Sequence, residues 1–409
     1  MTAQTKTGPL NGIRVLDLTR ILAGPTCTQL FGDLGADIIK IERPQSGDDT
    51  RTWGPPFVKD EHGNDSRESA YYLCANRNKR SVAIDISDPK GANLIKQLAQ
   101  HCDILIENFK VGGLKKYGLD YASLKDEFPN LIYCSISGFG QTGPNAHKAG
   151  YDLMAQGYGG MMSLTGEPDG EPMKVAVGVA DVVCGMYAST AILAALRHRD
   201  LTGQSQHIDL GLVDTQISWL INAGTNYLTD HQPPKRQGNQ HANIVPYQVF
   251  KVSDGHIIVA VGNDGQYQRF CQLLDHPQLA TDKRFATNRA RLENKEILVP
   301  LLKDILLGWE KHDLLKKMDD NGIPAGPINT VPEVFETDQV KARDMKITMD
   351  HPTAQSGSVD LIGNPLKLSE TPVQYNRPPP LLGEHTKEVL SELLGPETYR
   401  KAKADNIID

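Results

Sequence analysis

One aspartate is notable for the uncharged sequence around it. In "HKAGYDLMAQ", residues 147–156, Asp152 is the single carboxylate, and it is the one charged residue from Ala149 to Gly166 in a chain that is 23% charged. A carboxylate can act as a nucleophile when a dry site removes its hydration and holds it against an electrophilic carbonyl. The same spacing fits a simpler interpretation, in which Asp152 only caps a helix that begins at "DLMAQGYGG". On spacing alone the cap is favoured, and amides at that helix start would stabilise the anion.

Signatures of several common enzyme classes do not occur in the sequence. Residues 138–143, "GFGQTG", match G-x-G-x-x-G after a predicted strand, but Pro144 and Asn145 follow where a nucleotide-binding helix should begin. The sequence contains no G-x-S-x-G elbow, no H-E-x-x-H and no P-loop. Its 12 histidines are scattered without the spacing of metal ligands. We therefore expect no dinucleotide site, serine hydrolase site or metal site.

Length and composition limit the choice of class. A chain of 409 residues exceeds the usual single-core limit of about 250–300, so two domains are expected. The net charge of −7 argues against nucleic-acid or membrane-surface binding. Six cysteines without C-x-x-C spacing and an N-terminus, "MTAQTKTGPL", without an apolar signal segment favour a cytoplasmic protein with reduced thiols. The apolar run from Val182 to Leu196 is too short to span a bilayer, so it predicts a buried core helix.

Secondary-structure patterns predict two kinds of domain. From Ile13 to Ser137, β-branched runs such as "IRVLDL" and "DIIKIER" alternate with helical patterns, which predicts a Rossmann-like α/β domain with a parallel sheet. One helix is expected after Asp88 as N-cap, with Pro89 at its first position. A hairpin and helices follow the Pro- and Gly-rich segment at Asp230, which predicts a smaller α+β domain. The predicted division is a large domain at 1–205, a linker helix at 206–229, the small domain at 230–325, and a return segment at 326–409 that completes the large domain.

Seven segments, in one order along the chain, resemble the class III CoA-transferases, or CaiB/BaiF family. They are "GIRVLDLTRILAGP", "LGADIIKIERPQSGDDTR", "NRNKRSVAIDI", "ILIENFKVGGLKKYGLDY", "LIYCSISGFGQTGP", "AGYDLMAQ" and "PPLLGEHT". Within the family, "DDTRTWGPPF", "NIVPYQVFKVSDGHIIV" and "RPPPLLGEHT" are most similar to the succinyl-CoA:glutarate CoA-transferases. The resemblance implies a large Rossmann-like domain built from both chain ends, a small inserted domain, and a homodimer of interlocked rings.

The resemblance also implies a reaction and a catalytic residue. It carries the family's catalytic aspartate onto Asp152, which would attack an acyl-CoA to give an aspartyl-acyl anhydride and then an aspartyl-CoA thioester. Coenzyme A thioesters are thus substrates, and no tightly bound metal or redox cofactor is expected. Related racemases place a His where this chain has Tyr151, and a phenol that titrates near pH 10 is a poor base for α-proton exchange.

Further site residues follow from matching motif positions. CoA contacts are implied for Arg43, Lys79, Asn108, Phe109 and Lys116, and for the turn Arg20, Ile21, Leu22 and Ala23 after the first strand. On the acceptor side the implied residues are Tyr151, Gly238 and His241, although "KRQGNQHANIVPY" lacks the tetraglycine loop of formyl-CoA transferase. The distal carboxylate of a dicarboxylate needs a cation, for which Arg51, Lys148, Lys174 and Arg236 all remain open.

We therefore expect a cytoplasmic, homodimeric CoA-transferase that moves CoA from succinyl-CoA to glutarate or a similar diacid. Two alternatives remain open: an acyl-CoA racemase of the same fold, and a protein that binds acyl-CoA without catalysis. Deuterium uptake at the α-carbon of an acyl-CoA would favour the first alternative. Single-turnover mixing with acyl-CoA would separate the second from an enzyme.

Overall fold

A computed structural model describes residues 8–408 and has a mixed α/β fold with a parallel central sheet, as predicted. Residues 1–7 and residue 409 lie outside the described part. The prediction that the N-terminus has no secretory signal falls mostly on residues 1–7. The strands are β1 (Arg14–Asp17), β2 (Asp37–Glu42), β3 (Phe57–Lys59), β4 (Asp65–Ser69), β5 (Lys79–Ala83), β6 (Ile104–Glu107), β7 (Ile132–Ser137), β8 (His207–Gly211), β9 (Tyr247–Val252), β10 (Gly255–Ala260), β11 (Ala325–Pro327), β12 (Lys346–Asp350) and β13 (Ser358–Ile362).

Helices connect and cover these strands. They are α1 (Ala23–Asp33), α2 (Ala70–Leu73), α3 (Pro89–Ala99), α4 (Tyr121–Leu124), α5 (Asp152–Tyr158), α6 (Met161–Leu164), α7 (Val179–Thr202), α8 (Leu212–Ser218), α9 (Ile221–Asp230), α10 (Asp264–Leu273), α11 (Gln278–Thr281), α12 (Asn288–Glu293), α13 (Lys295–Leu306), α14 (Lys311–Asp320), α15 (Val331–Glu336), α16 (Asp338–Ala342), α17 (Thr386–Leu394) and α18 (Pro396–Ala404). Short 3₁₀ turns lie at Asp49–Thr52 and Lys115–Tyr117.

The chain forms two compact units. The first contains described residues 8–161, 174–230 and 339–408, and the second contains 162–173 and 231–338. The second unit thus continues past residue 325, where the sequence placed the end of the small domain. It has its own antiparallel sheet in the order β11-β10-β9 and its own apolar core, which includes Phe250, Ile257 and Leu302.

The first unit is built on a six-stranded sheet in the order β5-β2-β1-β6-β7-β8, with every neighbouring pair parallel. One face packs on α1 and α7, and the other on α3, α17 and α18. The predicted α3 is confirmed: Asp88 caps it by accepting a hydrogen bond from the amide of Lys90, and Pro89 is its first residue. Because the strands are parallel, their carboxyl ends meet along one edge, where α/β proteins bind ligands.

Helix α7 contains the apolar run from Val182 to Leu196. By length and composition its 24 residues could cross a membrane, but half of its most apolar window is buried inside the protein. Ala180, Cys184, Ala188 and Ile192 pack in the core cluster beneath the sheet. The prediction of a core helix is correct for this face, while Met186, Tyr187 and Leu193 are exposed.

The C-terminal segment completes the first unit through buried polar contacts. Asp33, which is fully buried, accepts hydrogen bonds from Arg77, Asn78 and Asn364 at 2.6–2.9 Å. The segment also covers the outer side of β5, since the amide of His385 donates to the Ser81 carbonyl at 2.9 Å and the amide of Ala83 donates to the Thr386 hydroxyl at 3.0 Å. These bonds satisfy backbone groups that an uncovered edge strand would leave free.

Candidate active site

Two glycines bring the predicted catalytic segment back to the end of β7. A Cβ atom on Gly138 would lie 2.5 Å from the Cα of Gly150, and one on Gly150 would lie 2.1 Å from the Cα of Gly138. No side chain fits at either position, so the loop between them closes on itself. Tyr151 and Asp152 therefore begin α5 directly beside the carboxyl end of β7.

Asp152 does not cap its own helix. The N-cap of α5 is Tyr151, and Asp152 is the first helical residue. One carboxylate oxygen of Asp152 accepts a hydrogen bond from the amide of Ala180 at 2.8 Å, and the other accepts from Nε2 of Gln156 at 2.8 Å. The backbone amide that supports the anion thus comes from the first turn of α7, and not from α5 as the sequence suggested, because the two helices meet at their N-termini.

Gln156 is held in place by a further contact. It is fully buried, and its Oε1 accepts a hydrogen bond from the amide of Val175 at 2.8 Å. This contact fixes which end of the amide faces Asp152, so the donor to the carboxylate is Nε2. The spacing from Asp152 to Gln156 is one helical turn, which places both side chains on one face of α5.

A second carboxylate, Asp181, lies beside Asp152. Burial, and to a lesser degree the charge of Asp152, raises the pKa of Asp181 to about 7. Within residues 8–408 the carboxylate of Asp181 has no hydrogen-bonding partner. Gly178 packs against both, since a Cβ there would lie 3.8 Å from Cγ of Asp152 and 3.8 Å from Oδ2 of Asp181.

Asp181 opens onto a cleft of about 160 Å³ at the carboxyl edge of the sheet. We call it the carboxylate cleft, and its lining residues are Arg20, Ile21, Leu22, Ala23, Asn108, Phe109, Lys110, Val111, Ile136, Ser137, Gly138, Lys148, Ala149, Gly150, Tyr151, Asp181 and Leu212. Seven residues predicted from the sequence meet here: the Arg20–Ala23 turn, Asn108, Phe109 and Tyr151. Asp152 lies behind them, with its carboxylate turned to Ala180 and Gln156.

Arg43 lines a neighbouring pocket. This pocket shares Arg20 and Phe109 with the carboxylate cleft. Its other lining residues are Leu18 directly after β1, residues of β2 and of the loop that follows it, and Ile84 and Ile86 after β5. Arg43 itself is exposed at the rim. The two cavities together offer a continuous wall along which an elongated molecule with a charged end could lie.

Asn108 supports the backbone of the Arg20–Ala23 turn. Its side-chain oxygen accepts a hydrogen bond from the amide of Arg20 at 3.0 Å, and its Nδ2 donates to the carbonyl of Arg20 at 2.7 Å. Asn108 also lines the cleft, and its amide keeps a second lone pair and a second N–H. Its predicted contact with CoA stays a prediction.

The predicted CoA contact at Lys79 is corrected by the structure. Lys79 is fully buried, and its ammonium donates to the Pro25 carbonyl at 3.0 Å, to Asn76 at 2.9 Å and to Asp17 at 3.4 Å. Burial lowers the pKa of Lys79 to about 8, although the Asp17 carboxylate opposes this shift. A phosphate cannot reach this ammonium, because β5 is covered on both faces.

Lys116 does not line the carboxylate cleft either. Its ammonium lies 4.6 Å from the ring centroid of Tyr117 on the exposed turn that follows β6. The contact predicted for Lys116 therefore has no support in the geometry of the cleft.

The two remaining acceptor-side residues, Gly238 and His241, belong to the second unit. Gly238 has a φ of 59° and donates its amide to the carbonyl of Gly166 at 3.1 Å. His241 accepts a hydrogen bond from the amide of Asn243 at 3.0 Å, and its ring packs against Tyr247. Their predicted substrate contacts stay predictions.

Burial and bonding partners distinguish the four cations that the sequence offered for the distal carboxylate of a dicarboxylate substrate. Arg51 is 4% exposed and is consumed by salt bridges to Glu42 at 2.8 Å and Glu68 at 2.9 Å. Lys174 donates to neighbouring backbone carbonyls, and Arg236 donates to carbonyls of its own unit. Lys148 lines the carboxylate cleft, and its ammonium has no ion-pair partner among residues 8–408.

Within the described part of the chain, no group of three or more His, Cys, Asp or Glu side chains could hold a metal ion. All six cysteines are unpaired thiols, and Cys27, Cys134, Cys184 and Cys271 are buried. The chemistry that this part of the chain offers in the cleft is that of two neighbouring carboxylates.

The chain is similar to known proteins of one family. The sequence profile of CoA-transferase family III matches residues 10–386. A succinate–glutarate CoA-transferase of Agrobacterium fabrum is 50% identical over 94% of this chain and 96% of its own length. The human succinyl-CoA:glutarate CoA-transferase is 43% identical over 94% of this chain and 86% of its own. A crystal structure of a CaiB/BaiF family protein from Brucella suis has a TM-score of 0.84 and 49% identity, covering 95% of this chain and all of that one.

The fold, the cleft and these relatives define a CoA-transferase. The chain belongs to CoA-transferase family III, as the seven sequence segments indicated. Its substrates are accordingly a CoA thioester and a carboxylic acid.

Sequence reasoning missed Asp181 as a candidate functional residue. The sequence feature that could have indicated Asp181 is its place directly before the longest apolar run, at residues 182–196. A carboxylate at the start of a buried helix is common as a helix-dipole partner, so the signal is weak without the contact to Asp152.

Proposed function

We propose that the protein transfers CoA from succinyl-CoA to glutarate through a covalent intermediate on a cleft carboxylate. The substrate pair rests on the names of relatives at 42–50% identity that span nearly the whole chain. The observation that carries the mechanism is the juxtaposition of Asp152 and Asp181, of which Asp181 lines the cleft.

The steps balance without any other reactant. A carboxylate oxygen attacks the thioester carbonyl, the C–S bond breaks, and CoA leaves as the thiolate. The thiolate then attacks the aspartyl carbonyl of the mixed anhydride, which releases succinate and forms an aspartyl-CoA thioester. A glutarate carboxylate attacks the carbonyl of that thioester, the C–S bond breaks, and CoA thiolate leaves an aspartyl-glutaryl anhydride. The thiolate then attacks the glutaryl carbonyl, so glutaryl-CoA leaves and the aspartate is restored.

We propose Asp181 as the attacking carboxylate, while the catalytic role predicted for Asp152 stays a prediction that the experiment below tests. The carboxylate of Asp181 lines the cavity and has no hydrogen-bonding partner in residues 8–408, whereas Asp152 is not among the lining residues. A carboxylate with a pKa near 7 is also a stronger nucleophile when ionised than one with an ordinary pKa. In this proposal Asp152 holds the first turn of α7, and its charge adds to the effect of burial in raising the pKa of Asp181.

The decisive experiment compares Asp181→Asn with Asp152→Asn. Each variant is mixed with succinyl-CoA for a single turnover, and the protein mass and the modified peptide are measured. We expect the wild type and Asp152→Asn to carry the adduct on Asp181, and Asp181→Asn to carry none. An adduct on Asp152 would return the role to the residue predicted from the sequence, and turnover without any adduct would reject the covalent route.

We also propose a homodimer. Large apolar side chains are exposed along α5 and α7 of the first unit: Leu153, Met154, Tyr158, Met186, Tyr187 and Leu193. Contiguous apolar surface of this kind commonly marks a protein interface. Light scattering coupled to size exclusion should give twice the mass of one chain, and a monomer at micromolar concentration would contradict the proposal.

The cytoplasm is proposed as the location, with support from six cysteines that are all unpaired thiols. Cell fractionation with an antibody against the protein tests this placement directly, and recovery outside the cytoplasmic fraction would reject it.

A further inference from the structure

The turn between β1 and α1 holds a residue in an unusual backbone conformation. Ile21 has a φ of 72°, in the left-handed region that glycine adopts readily. For a β-branched residue this conformation is a steric outlier, and such outliers persist only where surrounding contacts impose them. Ile21 lines the carboxylate cleft, and its neighbour Leu22 packs within 3.0 Å of where a Cβ on Gly178 would lie.

Three buried or partly buried side chains hold this turn by its backbone. Lys40 donates to the carbonyl of Thr19 at 2.9 Å. Asn108 pairs with both backbone groups of Arg20. Asp48 accepts from the amide of Ile21, at 3.2 Å to one oxygen and 3.3 Å to the other.

Asp48 and Lys40 form a buried ion pair beneath the turn. Their side chains are fully buried and joined by a 2.9 Å salt bridge. Burial alone would raise the pKa of Asp48, but Lys40 and hydrogen bonds from Thr50 hold that pKa below its ordinary value, so the group is anionic. A buried anion is a stronger acceptor for the Ile21 amide than a neutral group would be.

We propose that Asp48 is a positioning residue for the transfer reaction: its anion holds Ile21 in the left-handed conformation and thereby sets the cleft wall beside Asp181. This inference rests on the proposed function. Asp48 does not touch the reacting atoms, and it acts through the Arg20–Ala23 turn. A cleft wall that shifts by about 1 Å can cost ~100-fold in rate, because the reacting groups must meet in a narrow geometry.

The test measures the loss of kcat in one variant and its recovery when a second substitution is added. Asp48→Asn should lower kcat by ~10- to 100-fold with a smaller change in the KM for acyl-CoA. Adding Ile21→Gly should restore much of kcat, because glycine takes a positive φ without steric cost. Ile21→Gly alone is the reference for this rescue: Asp48→Asn should lower kcat less in the Ile21→Gly background than in the wild type, because glycine takes a positive φ without the Asp48 contact.

A milder variant covers the case in which Asp48→Asn does not fold. Thr50→Val removes one hydroxyl donor from Asp48 and leaves no unpaired charge. We expect a smaller fall in kcat that Ile21→Gly again restores. Thr52→Val is the matched control, because Thr52 is exposed in the same 3₁₀ turn and bonds only the Asp49 carbonyl.

Amide hydrogen exchange of residues 19–23 gives a readout that does not depend on turnover. Exchange at this segment should be faster in Asp48→Asn than in the wild type, with other segments of the sheet unchanged. A folded Asp48→Asn with unchanged kcat, or a loss of kcat that Ile21→Gly leaves in place, would overturn the proposal. Failure of the proposed function is distinguishable, since the wild type itself would then fail to exchange CoA between succinyl-CoA and glutarate.

Discussion

The carboxylate of Asp152 accepts a hydrogen bond from the amide of Ala180, the residue that directly precedes Asp181. This 2.8 Å contact joins the N-termini of α5 and α7 and brings two carboxylates into one buried region. The negative charge of Asp152 disfavours ionisation of the buried Asp181.

The rate of the covalent step should depend on pH through Asp181. Because burial and the charge of Asp152 raise the pKa of Asp181 to about 7, release of CoA thiol in a single turnover should rise as pH increases through 7. Asp152→Asn removes the neighbouring negative charge and should move this profile to lower pH. Stopped-flow detection of the free thiol measures both profiles. A profile that is unchanged or moves to higher pH in Asp152→Asn would contradict the coupling.

Lys148 should recognise the distal carboxylate of the dicarboxylate substrates. It lines the carboxylate cleft without an ion-pair partner in residues 8–408, and a charged hydrogen bond contributes about 1.5–3 kcal/mol. Lys148→Ala should therefore raise the KM for both glutarate and succinyl-CoA by about tenfold or more. Binding of free CoA, which has no such carboxylate, should not change.

The matched control for Lys148→Ala is Lys174→Ala. Lys174 does not line the cleft, and its ammonium donates to the carbonyls of the two residues that follow it. Steady-state kinetics with each substrate varied in turn separates the two lysines. An unchanged KM for glutarate in Lys148→Ala would exclude this cation as the recognition element.

Asp33 should be essential for the stability of the first unit. Its carboxylate is fully buried and bonds Arg77 at 2.6 and 2.9 Å, and Asp33→Ala would leave that guanidinium buried without its partner. Loss of one member of a buried ion pair costs about 3–5 kcal/mol. Urea unfolding should show this loss, whereas Asp65→Ala, which removes an exposed pair with Lys59, should cost under about 1 kcal/mol. Equal effects of the two changes would show that the Asp33 contacts are not specific.

Glu107 should make stability fall as pH rises. Burial raises the pKa of Glu107 from 4.5 to about 7, so the folded protein binds more protons than the unfolded chain between these values. Stability from this group is therefore present below pH 4.5 and is lost progressively up to about pH 7. Glu107→Gln cannot ionise, and its amide oxygen can still accept from the amide of Phe109. The variant should gain up to ~3 kcal/mol relative to the wild type between these pH values, as measured by thermal unfolding. A constant difference across this range would argue against the shifted pKa.

The parallel sheet and α3 could be predicted because their signals are local. Runs of β-branched residues and the Asp88–Pro89 helix start are read from a few neighbouring positions, and both predictions are confirmed. The burial of a residue, in contrast, depends on parts of the chain that are distant in sequence. Lys79 falls at a motif position that suggested a phosphate contact, but its partner Asp17 meets it only after β1 and β5 are brought into one sheet. Charge type alone did not separate a buried lysine from a surface lysine.

The importance of Asp181 could not be predicted for a similar reason. Its pKa depends on its burial and on the charge of Asp152, and neither can be read from the residues around it in the sequence. The strain at Ile21 is also hidden, since an isoleucine in sequence gives no indication of a positive φ. Such positions become visible only when backbone angles and partners are known together.

The amide of Asp85 donates to the carbonyl of Ile407, and Ile84 forms an antiparallel bridge with Ile408. The edge of the first sheet is therefore covered by residues far along the chain from β5. Until that segment has been made, β5 has an open flank, while the segment at 231–338 can already collapse on its own apolar core. A chain truncated before residue 385 would expose that flank to pairing with other strands, so the covering segment protects this edge against aggregation.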